Sequence, residues 1–416
     1  MDDKLEVVSF CFLLLLICCD VNRYIGLVRV ESQMFIKRTS TLVVTGFMTP
    51  LTMVGTPMMR RLQALLWQGT PPRVLVQSIA AMEKKEGGMK MNAKDSFLSE
   101  DGNAALAQML FADPRLDSWP LPPSVVFDMG KKLLHYIESN GGIPSESLYL
   151  ALSKELSSSA SADAGHFHYF LEDSIATAIN RESIVVPVRL HDNGLAFRVW
   201  PAAIVLMQLI WSLPDFQNPK SSIHGLLELG GGTGLSSLFA AFSRKFTHVC
   251  CTDYEAQAMQ ALMACWDRQS RTAADENPSE SEVTSFSGVT MDWKDLAAVE
   301  RVAQQMNVHC GGRGQWDVMA GDCLYDPTDI PVIEECIRTL YSCGARKIWW
   351  VNAVRRPETL EEFQTLLIRR QWRITTRQPP IDPVLREVEV GGRHDSMTTA
   401  CDICVWEIDK VGSEEW

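Results

Sequence analysis

Glu228-Leu229-Gly230-Gly231-Gly232-Thr233-Gly234 lies between a short apolar strand, Gly225 to Leu229, and an apolar helix face, Leu235 to Phe242. A loop that runs from a strand into the first turn of a helix presents backbone N–H groups, and glycines there let a ligand come close to the main chain. In open α/β sheets such turns lie beyond the carboxyl ends of the strands, where ligands sit. Gly234 is followed by Leu235, so the Gly-Lys-Ser/Thr needed to cradle a nucleotide phosphate is missing. The spacing Gly230, Gly232, Gly234 also departs from the dinucleotide fingerprint G-x-G-x-x-G. The turn alone lets a cofactor approach the backbone, leaves that cofactor's identity open, and has an ordinary glycine-rich strand–helix turn as its plainer reading.

Strand and helix alternate onward from this turn. Val249 to Thr252 reads as strand and Glu255 to Trp266 as helix, followed by a polar insert from Arg271 to Ser287. Gly288 to Trp293, Trp316 to Cys323 and Lys347 to Val354 read as strands, and Leu296 to Met306, Pro331 to Tyr341 and Pro357 to Arg370 as helices. Two late extended runs, Trp372 to Thr376 and Cys401 to Ile408, close the chain as an antiparallel addition. The pattern predicts an α/β, Rossmann-like, seven-stranded, mostly parallel sheet with an antiparallel last strand and helices on both faces. Upstream, Ile184 to Leu190, the turn Asp192-Asn193-Gly194 and Leu195 to Val199 predict a β-hairpin. Trp200-Pro201 then opens a helix running to Trp211, with Pro where its missing N–H costs little.

The remaining sequence divides into two parts, so the predicted organisation is 1–90, 91–182 and 183–416. Residues 1–90 show no clear period and are broken by Thr49-Pro50, Thr56-Pro57 and Thr70-Pro71-Pro72; this part is read as poorly ordered. Residues 91–182 form a helical accessory region, with apolar residues at helical spacing over Ala104 to Phe111 and Val125 to Ile137, and a Ser/Ala stretch from Ser157 to Ala164. Val7 to Cys19 is an apolar run about as long as a signal-peptide core, short for a membrane span and flanked by Asp2, Asp3 and Glu6. It leaves a signal, anchor or membrane contact as an alternative to two plainer readings, a buried element or a start at Met82 that leaves the run untranslated. The 416 residues carry a formal charge of −12, which disfavours broad attachment to nucleic acid. Twelve cysteines at irregular spacing in so long a chain read as reduced, buried thiols of a cytoplasmic or nuclear protein, and a monomer is expected.

Polar residues at the strand ends are the candidate site. Asp253 follows the second strand about twenty residues after the last glycine, where a carboxylate accepts from both ribose hydroxyls. Its alternative role as a helix N-cap is compatible with that one. Asp292-Trp293 ends the third strand; the pair could meet an adenine, or serve as a cap beside a core aromatic. Here the sequence resembles the class I, seven-strand S-adenosylmethionine (SAM)-dependent methyltransferases, and more narrowly methyltransferase family 16, largely protein-lysine methyltransferases. The resemblance covers about 185–410 and rests on Val199-Trp200-Pro201-Ala202, the glycine turn, Cys251-Thr252-Asp253, Asp292-Trp293, Trp316-Asp317-Val318 and Asp322-Cys323-Leu324-Tyr325. The last of these matches the family's D-x-x-Y signature.

This resemblance implies SAM as cofactor and a protein lysine as substrate. Gly230, Gly232 and Gly234 would line the methionine and ribose part of SAM, with Glu228 supporting the loop. Asp253 would hold the ribose, Asp292 and Trp293 the adenine, and Trp200 would border the pocket if it is not simply packed. Asp322 and Tyr325 would face the substrate amine; a capping carboxylate and a core aromatic are their plainer readings. The Leu-Ser-Ser after the turn and the insert after Arg271 depart from the family pattern. No metal is expected, because Cys401 and Cys404 lie three apart in a strand and face opposite sides. His166 and His168 stand beside aromatic residues without a carboxylate at ligand spacing. Gln378-Pro379-Pro380-Ile381 lacks the aromatic residue and the position of a base-methylating N-P-P-Y motif. A SAM-fold scaffold working only through protein contacts, and a methyltransferase for a small molecule or another side chain, are the competing readings.

Overall fold

The computed structural model describes residues 57–85, 96–156, 164–190, 194–214, 225–276, 284–380 and 402–410. Residues 57 onward pack as one compact unit. The apolar run 7–19 and the Asp192-Asn193 part of the expected hairpin turn lie outside the described residues, as does Cys401. No helix among the described residues is long and apolar enough to cross a membrane.

The unit begins with α1 (Pro57–Trp67), α2 (Pro72–Lys85), α3 (Glu100–Phe111), the single turn α4 (Arg115–Ser118), α5 (Pro123–Ser139) and α6 (Glu146–Leu156). Over 57–85, the first two helices correct the reading of 1–90 as poorly ordered; residues 1–56 and 86–90 lie outside the described residues. Each starts with Pro at a first-turn position, so Pro57 and Pro72, taken as breakers, mark helix starts. Met59, Leu62, Leu66 and Trp67 are buried in the main core, and Trp67 Nε1 donates to the Leu110 carbonyl at 3.1 Å. The spacing of those four residues is helical.

The expected hairpin is also corrected. The strand β1 (Ala164–Phe170), α7 (Asp173–Ile179) and β2 (Ser183–Arg189) follow, with β1 antiparallel to β2 from Ala164 opposite Arg189 to Phe170 opposite Ser183. The partner of β2 thus lies before it, in the aromatic run His166 to Phe170, and the pair crosses the expected boundary at 182. Leu195–Phe197 is a 3₁₀ turn. Gln269 binds β2 to the sheet domain: its Oε1 accepts from Val185 N–H at 3.1 Å and its Nε2 donates to Val185 C=O at 2.8 Å. A side-chain amide here does the work of a neighbouring strand.

The sheet domain runs α8 (Pro201–Ser212), β3 (Gly225–Leu229), α9 (Leu235–Phe242), β4 (His248–Asp253), α10 (Ala256–Glu276), β5 (Ser285–Thr290), α11 (Leu296–His309) and β6 (Trp316–Gly321). It finishes with α12 (Ile330–Cys343), β7 (Ile348–Ala353), α13 (Pro357–Arg369), β8 (Trp372–Arg377) and β9 (Ile403–Lys410). The polar insert is shorter than expected, because α10 continues to Glu276 and β5 begins at Ser285, paired with His248. The sheet order is β5-β4-β3-β6-β7-β9-β8. β5, β4, β3, β6 and β7 are mutually parallel, and β9 runs antiparallel between β7 and β8. The last strand is therefore inserted, and β8 forms the edge.

Alternate residues of each central strand feed two cores, as a sheet covered on both faces requires. Leu226, Val249, Met319 and Trp349 face the core shared with α8, α9 and α10. Leu227, Cys250, Val318 and Trp350 face the core shared with α11, α12 and α13. Each fully buried side chain of this size contributes about 1.5–3 kcal/mol relative to exposure. Both faces being closed, ligand access is left to the strand ends.

Candidate active site

The carboxyl ends of β3, β4, β5, β6 and β7 point to one side, and the expected site residues follow those ends. Gly230, Gly232 and Gly234 all have positive φ, at 61°, 53° and 73°. Gly231 N–H donates to Thr252 C=O at 2.9 Å and Gly232 N–H to Asp253 Oδ2 at 2.9 Å, so the turn is fastened to the end of β4. A Cβ on Gly232 would lie 2.8 Å from the Ala196 carbonyl oxygen. The 3₁₀ turn at 195–197 therefore walls the glycine turn. Gly232→Ala combines a left-handed backbone with a backbone clash and is expected to lower stability by about 3 kcal/mol, read from the urea midpoint.

Glu228 lies under the turn, 3% exposed. The hydroxyls of Ser236 and Ser237, in the first turn of α9, donate to its two carboxylate oxygens. Burial pushes its pKa up to about 7, against the pull of those hydroxyls. The ordinary value is 4.5, so between about pH 4.5 and 7 the folded chain holds a proton that the unfolded chain has lost. Stability contributed by that proton is complete below the lower value and is lost as pH rises through the upper one. Glu228→Gln is expected to lose less stability than wild type between pH 5 and pH 8, by on the order of 2 kcal/mol in urea unfolding.

Asp253 is buried, and its Oδ1 accepts from Glu255 N–H at 2.9 Å. It thus holds the turn with one oxygen and starts the segment before α10 with the other. Burial raises its pKa, opposed by these backbone donors. Asp292 accepts from Lys294 N–H at 2.9 Å through Oδ1, a local turn that leaves it half-buried after β5. Trp293 packs beside the turn, its ring 3.2 Å from where a Gly230 Cβ would stand.

Trp200 caps the start of α8, and its Nε1 donates to the Leu195 carbonyl at 3.1 Å. The segment 195–202 is thereby folded over the glycine turn. Tyr325 is 51% exposed at the mouth of this region. Its phenol pKa is raised by burial first, then by Cys323, Asp329, Asp253 and Asp326. It therefore keeps its proton at neutral pH.

Asp322 departs from expectation. Its carboxylate was expected to face a substrate amine, yet its side chain is 1% exposed and engaged on both oxygens. Oδ1 accepts from Ala353 N–H at 2.8 Å and Oδ2 from Ala202 N–H at 3.3 Å. Arg355 donates to Oδ1 through Nη1 at 3.4 Å and to Oδ2 through Nη2 at 3.3 Å. Asp322 thus ties the ends of β6 and β7 to the first turn of α8, in a left-handed backbone at φ 56°. Asn352 and Arg355 are absent from the expected set. Asn352 is buried, and its Oδ1 accepts from Leu324 N–H at 3.1 Å, setting the loop that carries Tyr325. Their signal was position: Asn352 is the second-last residue of the parallel strand β7 and Arg355 lies just beyond its carboxyl end.

Among the described residues no cluster of His, Cys, Asp and Glu fits a metal. A cavity of about 310 Å³ lies at the other end of β7, beside Leu209, Leu213 and Trp349, and is remote from the glycine turn.

Counted from β3, the sheet order is 3-2-1-4-5-7-6, the doubly wound order 3-2-1-4-5 with its last strand inserted antiparallel. With a glycine turn after the first strand and an acidic residue after the second, the domain has the Rossmann-like methyltransferase fold, with SAM as cofactor. Residues 187–369 match the family described as lysine methyltransferase. No curated protein matches the chain. Among solved structures it is similar to a putative RNA methyltransferase from Pyrococcus horikoshii, at 14% identity and a TM-score of 0.33, covering 58% of this chain and 99% of that one. It is also similar to the O-methyltransferase from Bacillus cereus in complex with SAH, at 15% identity and a TM-score of 0.31, covering 51% and 83%. A putative SAM-dependent methyltransferase from Streptococcus mutans matches at 14% identity and a TM-score of 0.33, covering 55% and 53%. Likenesses this distant carry no argument about the substrate.

Proposed function

We propose that this chain transfers a methyl group from SAM to the ε-amine of a protein lysine. The observation that carries the reading is the match of residues 187–369 to the lysine methyltransferase family, with Asp322 and Tyr325 at the sheet end where the cofactor turn also lies. The site fits the cofactor in kind: a left-handed glycine turn at the end of the first strand, a buried carboxylate at the second and an indole beside the turn.

SAM supplies an already activated methyl group, so the chain's task is positioning. Gly230, Gly232 and Gly234 would border the methionine and ribose of bound SAM. Glu228 holds the turn from below through Ser236 and Ser237. Lone pairs of Asp253 not used by Gly232 and Glu255 would accept from the ribose hydroxyls, and Asp292 and Trp293 would flank the adenine. The acceptor amine must be neutral to attack, while free lysine has a pKa near ~10.4. An acceptor that arrives as an ammonium therefore gives its proton to solvent before transfer, which the 51% exposed Tyr325 beside the Asp322 loop leaves open.

The test is incubation of the full-length chain with methyl-labelled SAM and cell extract, followed by mass spectrometry of the labelled material. Label on lysine ε-nitrogens is the expected result. Label confined to small molecules, nucleic acid or other side chains would replace the substrate assignment.

A further inference from the structure

Arg355 stands where the Asp322 carboxylate meets solvent. Its side chain is 30% exposed against 1% for Asp322, and its guanidinium carbon lies 5.0 Å from the centre of the Trp200 ring. A carboxylate on one side and an indole face on the other make a cation site. Arg355 fills that site loosely. Its two contacts are 3.3 and 3.4 Å, whereas Arg346 holds Asp317 at 2.9 and 2.8 Å and Arg373 holds Asp409 at 2.8 and 2.7 Å. Charge-assisted pairs made for strength have the shorter distances. Asp322 itself stays fixed without Arg355, because Ala353 and Ala202 N–H groups each donate to one of its oxygens.

We infer that Arg355 is a displaceable placeholder for the cationic side chain of the acceptor. An incoming lysine ammonium takes the place of the guanidinium between Asp322 and Trp200, and Arg355 swings to solvent. One monovalent cation replaces another, so the buried carboxylate is never left uncompensated. The arrangement makes Arg355 a specificity-determining residue: a neutral side chain cannot displace it, and a cation must outcompete it. Apparent affinity for the acceptor is reduced by the fraction of molecules in which Arg355 fills the site. The inference rests on the lysine reading above, and its test does not use methyl transfer.

The probe is n-butylammonium chloride, titrated calorimetrically into the full-length chain loaded with S-adenosylhomocysteine. Arg355→Ala is expected to bind it about tenfold tighter than wild type, the size of one cation–π and carboxylate contact set. The gain should vanish when Asp322→Asn is added, and Arg355→Lys, which refills the site, should stay near wild type. If Arg355→Ala no longer binds S-adenosylhomocysteine, Arg355→Gln serves in its place with the same expected gain. Equal affinity in wild type and the opened variant, or a gain that survives Asp322→Asn, overturns the inference. Labelled lysine without an ammonium gain removes the placeholder alone; an ammonium gain with label on another acceptor removes the lysine reading alone.

Discussion

Asp322→Ala is expected to destabilise the chain by about 3 kcal/mol, as the sum of backbone donors left unpaired and an ion pair broken. Ala353 N–H and Ala202 N–H would lose their acceptor and Arg355 its partner. Alanine would also meet the left-handed φ of 56°, which aspartate and asparagine tolerate better. Asp322→Asn keeps an acceptor and that backbone preference, so it should cost about 1 kcal/mol. Urea unfolding of the two variants separates the roles open to this residue. Full stability with lost methyl transfer would leave Asp322 a substrate contact with no anchoring role; a large loss of stability from alanine and a small one from asparagine makes it the anchor of α8, whichever cation its carboxylate meets.

The second large effect is on the cofactor. Asp253→Ala is expected to weaken SAM binding about 100-fold, the loss of two hydrogen bonds to a charged acceptor. Part of that loss is indirect, since Gly232 N–H is held by Asp253 Oδ2 and the turn would loosen with it. Equilibrium dialysis with labelled SAM measures the whole effect. Unchanged affinity would remove Asp253 from the cofactor site.

These two aspartates show what could be read in the sequence. Asp253 was legible because its place is dictated by a local rule, an acidic residue at the end of the strand after the glycine turn. The central strands were legible for the same reason: two buried faces make short apolar runs such as Leu226 to Leu229 and Ile348 to Val351 hard to mistake. Asp322 was placed correctly at a strand end, but the direction of its carboxylate was not visible. That direction depends on Ala202, 120 positions earlier, and on Arg355, 33 positions later. The hairpin failed similarly. Ile184 to Leu190 shows its strand character, yet nothing local states whether its partner precedes or follows. Residues 57–85 were missed because each Pro was read as a break where it opens a helix, and the buried Met59, Leu62 and Trp67 show their spacing only once the helix is granted. Arg355 carried no motif; only its neighbours Asp322 and Trp200, both distant in sequence, give it meaning.

The cofactor site is the claim on which the rest depends, and calorimetric titration of the full-length chain with SAM tests it most directly. One bound SAM per chain is expected, with binding that weakens in Asp253→Ala. A chain that stays folded and takes up no SAM would contradict the account and leave a scaffold with a methyltransferase fold.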